Sequence, residues 1–225
     1  MVKILFMSIV RDGQEYLPRY FEQLNSLRSE YEIALAINEG DSIDNSRELI
    51  LSESNALPIY LYNYSHKGPK FGSIDNSVRW MNIAKTWNYM LDRLTKEEVF
   101  DKYDYVIYME ADLIWNKSTI DKLIDGLEKS FGEVIAPMSM LGNIFYDTWG
   151  HRSDGINFGA VYPFHANFEK SYRYIPLTSA GSCLAMKPVV AKQCRLSLVD
   201  AMMGHDIKKY SFSFMLDKTA KVNHP

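Results

Sequence analysis

The sequence has few cysteines and lacks the common glycine-rich phosphate motifs. Its two cysteines, Cys183 and Cys194, stand outside any CxxC or Cys/His spacing of a metal site. Two cysteines do not make a disulfide framework, so we expect free thiols in a reducing compartment. No GxGxxG follows the first predicted strand, and no GxxxxGKS/T, GxSxG or HExxH occurs. These absences argue against a dinucleotide dehydrogenase, a P-loop NTPase and an α/β-hydrolase.

The chain also lacks a strong net charge and a long apolar run. Its net charge is −3, so no global positive field indicates nucleic acid or anionic lipid as a partner. An anionic substrate would therefore need local cations or a metal ion. The apolar start, MVKILFMSIV, is too short for a membrane span, and no small-residue cleavage site follows it. We interpret it as a buried strand and expect a cytoplasmic protein without a transmembrane segment.

The chain does contain a regular alternation of strand and helix patterns. Its 225 residues, 47% of them apolar, suffice for a single domain with its own core. The strand patterns are nearly continuous apolar runs, as in a sheet covered on both faces. We predict an α/β fold with a mostly parallel sheet and helices on both faces. The predicted strands are 3–10, 31–38, 58–64, 103–109 and 133–140, and the predicted helices are 13–28, 46–54, 80–94 and 118–127.

Three local signals refine this prediction. Asp44 or Asn45 is expected to cap the second helix, and Ser118 with Asp121 to form a capping box for the fourth. After Leu141 the alternation stops, and residues 142–182 are rich in aromatic residues, glycine and histidine. Such a segment usually carries loops or a small subdomain that faces a substrate. Beyond it we predict a strand over 182–187, a helix over 204–216 and a short strand over 220–225.

Charged residues follow several of the predicted strands. Arg11 follows the first, Glu39 and Asp41 the second, and Glu110 and Asp112 follow YDYVIYM. Ligands of open parallel sheets bind beyond the carboxyl ends of the strands, and acids there suit a divalent metal ion or sugar hydroxyls. In an extended chain, Glu110 and Asp112 point to one side, roughly 6–7 Å apart. One can hold a metal while the other receives a ribose hydroxyl; the alternative is the solvated exit of a strand.

Three stretches resemble a known family: NEGDSIDNSRELI (38–50), SVRWMNIAKTWNYML (77–91) and NIFYDTWGHRSDG (143–155). With YMEAD at a strand end, the chain looks like a GT-A type nucleotide-sugar glycosyltransferase. It is most similar to the fungal (cryptococcal) capsule-associated mannosyltransferases, and the FYDTW core is the most specific of the shared segments. The resemblance spans most of the chain. It implies a single GT-A domain over 1–225, with 1–141 binding the nucleotide sugar and 142–225 facing the sugar and the acceptor.

The resemblance implies a metal site and a nucleotide site. Asp112 would be the main metal ligand, Glu110 would contact the metal or the ribose, and His224 in KVNHP matches a late histidine that often completes the site. The ion, Mn²⁺ or Mg²⁺, would bridge the donor phosphates and stabilise the leaving diphosphate. Glu39 and Asp41 would hold the base or the ribose.

Other residues receive roles around these two sites. Arg11 and Arg79 are expected to reach the base or the phosphates, and Lys67 and Lys70 lie in a loop that can fold over the donor. The sugar pocket is expected to use three residues of one segment, Asp147, Trp149 and Arg152, with Asp147 also a candidate catalytic residue. Asp206, in GHD, matches the acid that removes the acceptor's proton in inverting enzymes of this fold.

We therefore predict a metal-dependent glycosyltransferase that moves a hexose from a nucleoside-diphosphate sugar to a saccharide or other hydroxyl acceptor. UDP-hexose is the first choice, because a small acidic pocket after the second strand suits uracil. GDP-mannose is the second choice, favoured by the fungal resemblance. The alternatives are a sugar nucleotidyltransferase, although VRDGQEYLP lacks the glycines of its loop, and a non-catalytic carbohydrate-binding protein.

Overall fold

The computed structural model describes residues 1–72, 74–147, 150–153, 156–157, 173–199, 201 and 212–225. Within these ranges the strands are β1 (Val2–Val10), β2 (Tyr31–Glu39), β3 (Ile59–Tyr62), β4 (Tyr105–Met109), β5 (Val134–Leu141), β6 (Ile144–Phe145), β7 (Arg152–Ser153), β8 (Ile156–Asn157), β9 (Tyr174–Leu177), β10 (Cys183–Met186) and β11 (Phe214–Asn223). The helices are α1 (Leu17–Ser26), α2 (Ser46–Glu53), α3 (Ser77–Lys96), α4 (Lys117–Lys129) and α5 (Pro188–Ala191), with a 3₁₀ turn at Phe100–Lys102.

One mixed sheet organises the described residues. Its order is β3-β2-β1-β4-β10-β5-β11-β9, with β6 paired to β5, while β7 and β8 form a separate pair. The pairs β1–β2, β1–β4, β2–β3 and β5–β11 are parallel, and β10 is antiparallel to both β4 and β5. The strands β1, β2, β3, β4, β5 and β11 therefore run in one direction. The α/β prediction is confirmed, and the sheet is mixed because β6, β9 and β10 run the other way.

The sheet separates two apolar layers, as the continuous apolar strands predicted. Along β1, Leu5 and Met7 pack in the layer that contains α3 and α5. Ile4 and Phe6 pack in the layer that contains α1, α2 and α4. This alternation follows from the two-residue period of a strand, and it leaves the carboxyl ends of the parallel strands as the shared polar edge. None of the helices in the described ranges is long and apolar enough to cross a membrane.

Two local predictions were wrong. Helix α4 is capped by Asn116, whose side chain accepts a hydrogen bond from Thr119 N–H at 3.2 Å, so no capping box begins at Ser118. Asn116 has an extended backbone, which lets its short side chain reach the free N–H groups of the first turn. Residues 214–216 open strand β11 instead of ending a helix, because Phe214 and Leu216 are buried between β5 and β9. The rest of the helix predicted over 204–216 lies mostly outside the described residues.

The side-chain cap of α2 comes from Asp44 and not from Asn45. Asn45 occupies the N-cap position, but its side chain makes no capping hydrogen bond. The carboxylate of Asp44 accepts the Ser46 N–H at 3.0 Å instead, and it also accepts the N–H of Gln14 at 3.0 Å. Asp44 thereby joins the loop after β2 to the loop after β1.

Candidate active site

Three potential metal ligands meet where β4 and β11 end. Glu110, Asp112 and His224 each offer a ligand atom, and these atoms all lie within 4.8 Å of one another. The His224 Nε2 atom is 3.9 Å from Asp112 Oδ2. Main-chain hydrogen bonds of 2.8 Å in both directions join Ile114 to Asn223, and this bridge carries His224 to the segment that follows β4. The sheet therefore brings together two residues that are distant in sequence.

The spacing of His224 and Asp112 fits a divalent ion. Two ligand atoms that each lie about 2.1 Å from one ion are at most about 4.2 Å apart, so the 3.9 Å between His224 and Asp112 is compatible with shared coordination. Carboxylates suit Mg²⁺ and Mn²⁺, whereas an imidazole favours a first-row transition ion over Mg²⁺. The ring of Tyr146 packs on His224 with centroids 4.3 Å apart and holds the imidazole in place.

The electrostatics of this cluster also favour a cation. Burial, with the nearby charges of Asp112 and Asp147, raises the pKa of Glu110 to about 8. Two carboxylates that face one another in a partly dehydrated site repel when both are ionised. A divalent cation between them would remove this repulsion and let Glu110 ionise.

A cleft of about 650 Å³ opens above the cluster along the carboxyl ends of the parallel strands. Its walls come from the segments that follow β1 to β4, from α3, from residues 146, 147, 150 and 180–182, and from His224. Asp12, Asp41, Lys67 and Ser182 have positive φ angles of 52°, 63°, 51° and 58° in the loops at this edge. Non-glycine residues adopt such angles at an energetic cost and cluster at functional sites.

The loop after β3 is tied down by two of the predicted residues. Asp41 accepts hydrogen bonds from the hydroxyl of Ser65 and from the N–H groups of His66 (2.7 Å) and Lys67 (3.1 Å). Burial opposes ionisation of Asp41, but these hydrogen bonds prevail and lower its pKa. Arg11 donates to the carbonyl oxygens of residues 68 and 69 at 2.9 and 3.1 Å. Asp41 and Arg11 thus shape the cleft wall, and Arg11 also lines the cleft.

Two positions explain why this loop lies so close to the strand ends. At Gly40, an added Cβ would lie 2.2 Å from the carbonyl oxygen of Tyr64, so only glycine fits there. Lys70 forms an ion pair with Asp12 at 3.1 Å and lines the cleft. The loop after β3 is therefore held against the end of β1.

Arg79 supplies a cation from α3. Its guanidinium lies 4.3 Å from the ring centre of Trp80 and donates to the Ile74 carbonyl at 3.4 Å. Burial lowers the pKa of Arg79, although the nearby Glu110 acts to raise it. The side chain lines the same cleft as the acidic cluster, where it can meet an anionic group.

Asp147 also lines the cleft, and its neighbours hold its carboxylate in place. Its carboxylate accepts the N–H of Gly150 at 2.7 Å and the hydroxyl of Ser182 at 2.8 Å, and it lies 3.4 Å from His151 Nδ1. Burial opposes ionisation, but these partners hold the pKa of Asp147 below its ordinary value. An added Cβ at Gly181 would lie 3.3 Å from the carboxylate, which explains the small residue there.

Two predicted donor-binding residues, Glu39 for the nucleotide and Arg152 for the sugar, are placed away from the cleft lining. Glu39 is 3% exposed, and its oxygens face Arg47 at 3.1 Å and the N–H of Ser42 at 3.3 Å. Its carboxylate therefore stabilises the turn before α2. Arg152 is buried in β7 and pairs through its main chain with Ser179. Within the described ranges, neither residue is among those that line the cleft, and their roles in donor binding stay predictions.

Some candidates lie outside the described residues, and the sequence reasoning missed others. Trp149 and Asp206 fall outside the described ranges. His66, Thr86 and Ser182 line the cleft but were not predicted. His66 carried a usable signal, since it follows a strand of the parallel sheet at the same edge as the acids.

No protein-family model and no curated protein matches this sequence. Solved structures do match it. One is S. aureus TarS 1–349, with a TM-score of 0.57, 11% identity, and coverage of 99% of this chain and 60% of that chain. The same protein in complex with UDP-GlcNAc has a TM-score of 0.55 and 12% identity, with coverage of 99% of this chain and 58% of that chain. The mannosyltransferase PcManGT from Pyrobaculum calidifontis, in complex with GDP-Man and Mn²⁺, has a TM-score of 0.57 and 12% identity. The match covers 98% of this chain and 56% of that chain.

This chain has the GT-A fold. It spans 56–60% of the length of these solved chains, and at such low identities the likeness concerns the fold alone. The GT-A resemblance of the sequence is thereby confirmed at the level of the fold. The closer resemblance to the fungal capsule-associated mannosyltransferases is not confirmed by these matches.

Proposed function

We propose that this chain is a metal-dependent glycosyltransferase that moves a hexose from a nucleoside-diphosphate sugar to a hydroxyl acceptor. The observation that carries the proposal is the meeting of Glu110, Asp112 and His224 on the cleft at the carboxyl edge of the sheet. The GT-A fold supports it, because similar structures hold UDP-GlcNAc, or GDP-Man with Mn²⁺. UDP-hexose is our first choice of donor and GDP-mannose the second.

The residues of the cleft divide into two chemical regions. Asp112, Glu110 and His224 would hold Mn²⁺, or Mg²⁺, which when bound offsets the charge of the donor diphosphate and of the leaving nucleotide. Arg79, and Arg11 beside the loop after β3, add cations on the nucleotide side. Such preorganised charges stabilise a leaving group best in a site that excludes water.

The second region suits the transferred sugar. Ser182 and Asp147, whose side chains are hydrogen-bonded to each other, also line the cleft. Because Asp147 is held ionised, it is suited to accept a sugar hydroxyl and poorly suited to remove a proton near neutral pH. We propose that Asp147 positions the sugar, that Trp149 and Arg152 contribute to sugar binding, and that Asp206 is the base if the reaction inverts. The acceptor would be recognised by residues of the second half, 142–225.

A screen of nucleotide sugars with Mn²⁺ and Mg²⁺ tests this function. We expect release of the nucleoside diphosphate from one UDP- or GDP-hexose, dependent on the ion. Asp112→Ala should lower kcat/KM by roughly 100-fold or more, since several kcal/mol of transition-state stabilisation depend on the ion. The matched control is Asp101→Ala, because Asp101 is an exposed acid paired with Lys192 that does not line the cleft.

Three outcomes would contradict the proposal. One is full turnover by folded Asp112→Ala. Another is formation of a sugar 1-phosphate with consumption of pyrophosphate, which would identify a nucleotidyltransferase. The third is sugar binding without any nucleotide binding, which would identify a carbohydrate-binding protein.

A further inference from the structure

The hydrogen bonds of the histidine in the loop after β3 favour one tautomer of its ring. His66 Nε2 lies 2.7 Å from the hydroxyl of Thr86 on α3. That hydroxyl donates its own proton to the Asn82 carbonyl at 2.9 Å, so its oxygen is left to accept from the ring. A neutral imidazole protonated on Nε2 carries a lone pair on Nδ1. In this tautomer, Nδ1 of His66 is a hydrogen-bond acceptor.

The position of this ring is fixed from several sides. The main-chain N–H of His66 donates to Asp41 at 2.7 Å, and the ring stands edge-on to Tyr64 with centroids 5.0 Å apart. Burial lowers the pKa of His66, which keeps the ring neutral. Among the residues that the structure describes, no hydrogen-bond donor is bonded to Nδ1 of His66, although the side chain lines the cleft.

The chemistry of the cleft indicates which part of a nucleotide would meet His66. The sheet order is β3-β2-β1-β4, so the metal-ligand cluster after β4 and the loop after β3 lie at opposite ends of this stretch. Arg11 follows β1, between them, and suits the phosphates. Asp147 and Ser182 suit a sugar, so the remaining end of the cleft, with Tyr64 and His66, is left for the base.

We propose that Nδ1 of His66 accepts a hydrogen bond from the ring N–H of the donor's nucleobase. The site would then select bases with a protonated ring nitrogen beside a carbonyl, which are uracil and guanine, over cytosine and adenine. Cytosine and adenine present a lone pair at the equivalent ring nitrogen, so two acceptors would face one another. This inference rests on the proposed nucleotide-sugar function and specifies its base class.

Calorimetry with UDP and CDP, each with Mn²⁺, tests the proposal on two ligands of nearly equal size. We expect the wild type to bind UDP about tenfold or more tighter than CDP, because an unmatched polar pair in a buried site is strongly disfavoured. GDP and ADP form a second matched pair, with the same expected order. His66→Ala should weaken the binding of UDP and should leave the binding of CDP unchanged or make it tighter, because the opposing acceptor is gone, so that the preference disappears.

A second variant tests the tautomer rather than the ring. Thr86→Val removes the acceptor that holds the proton on Nε2, so the proton can move to Nδ1 and the preference for UDP should fall several-fold. Thr95→Val is the matched control. Thr95 lies on the same helix, donates in the same way to Leu91 at 2.8 Å, and does not line the cleft.

The outcomes separate the two proposals. Equal binding of UDP and CDP by the wild type, or equal weakening of both by folded His66→Ala, would overturn the role of His66 and leave the glycosyltransferase proposal standing. No binding of any of the four nucleotides would overturn the proposed function itself. An unchanged preference in Thr86→Val would refute the tautomer argument.

Discussion

The acidic cluster should make the stability of the metal-free protein depend on pH. The perturbation is Glu110→Gln, which keeps the size of the side chain and removes its titration. In the folded protein the pKa of Glu110 is about 8, against 4.5 as its ordinary value. The folded state therefore holds this proton more tightly than the unfolded state. Its contribution to stability is full below pH 4.5 and is lost as the pH rises through 8.

The size of the effect follows from proton linkage. Between the two pKa values the folded state binds about one proton more than the unfolded state, so the free energy of unfolding falls by about 1.4 kcal/mol per pH unit. From about pH 6 to about pH 7.5 the wild type should lose about 2 kcal/mol through this group. For a chain of this length that is a fall in Tm of about 4–8 °C.

Thermal and urea unfolding in EDTA at these two pH values measure the effect. The difference in stability between the wild type and Glu110→Gln should change by about 2 kcal/mol between them, in favour of the variant at the higher pH. The exposed acid Glu48 on α2 provides the control, since Glu48→Gln should follow the wild type. Added Mn²⁺ should stabilise the wild type at the higher pH and should stabilise Glu110→Gln much less. Parallel pH profiles of the wild type and Glu110→Gln would refute the reasoning.

Two further substitutions test the framework that surrounds the site. Gly40→Ala should displace the loop after β3, because the new Cβ would lie 2.2 Å from the Tyr64 carbonyl oxygen. We expect the free energy of unfolding, measured with urea, to fall by roughly 1–3 kcal/mol. An unchanged midpoint would contradict the close approach. Arg173→Met should cost roughly 3–5 kcal/mol, because fully buried Asp217 accepts hydrogen bonds from Arg173 at 2.7 and 3.1 Å. Arg173→Met combined with Asp217→Leu should recover most of this loss, and failure to recover would show that an unpaired buried charge is not the cause.

Much of the first half could be predicted because its signals are local. The apolar runs of β1, β2 and β4 and the stripe of α3 follow from periodicities of two and 3.6 residues, and the structure has all four elements. The direction of β10 could not be read in this way. A short apolar strand has the same pattern in either direction, and its place between β4 and β5 depends on pairing with residues far away in the chain.

The acids at the strand ends show the same contrast between local signals and distant contacts. Glu39 and Asp41 looked alike in the sequence, since both follow β2. In the structure Glu39 faces Arg47 and is buried, whereas Asp41 bonds the loop after β3 beside the cleft. A side chain's direction at a strand end depends on the partners that the neighbouring loops bring to it. No local pattern of the sequence contains that information.

The sequence by itself determined the α/β alternation, the two buried faces of the sheet and the place of Glu110 and Asp112 after a buried strand. Hydrophobic periodicity specifies these features, and it acts over a few residues. Only the tertiary structure decided that His224 meets Asp112, that the loop after β3 is tied down by Arg11 and Asp41, and that Thr86 meets the ring of His66. Each of these contacts joins segments that are distant in the chain, and the register of a twisted, mixed sheet brings them together.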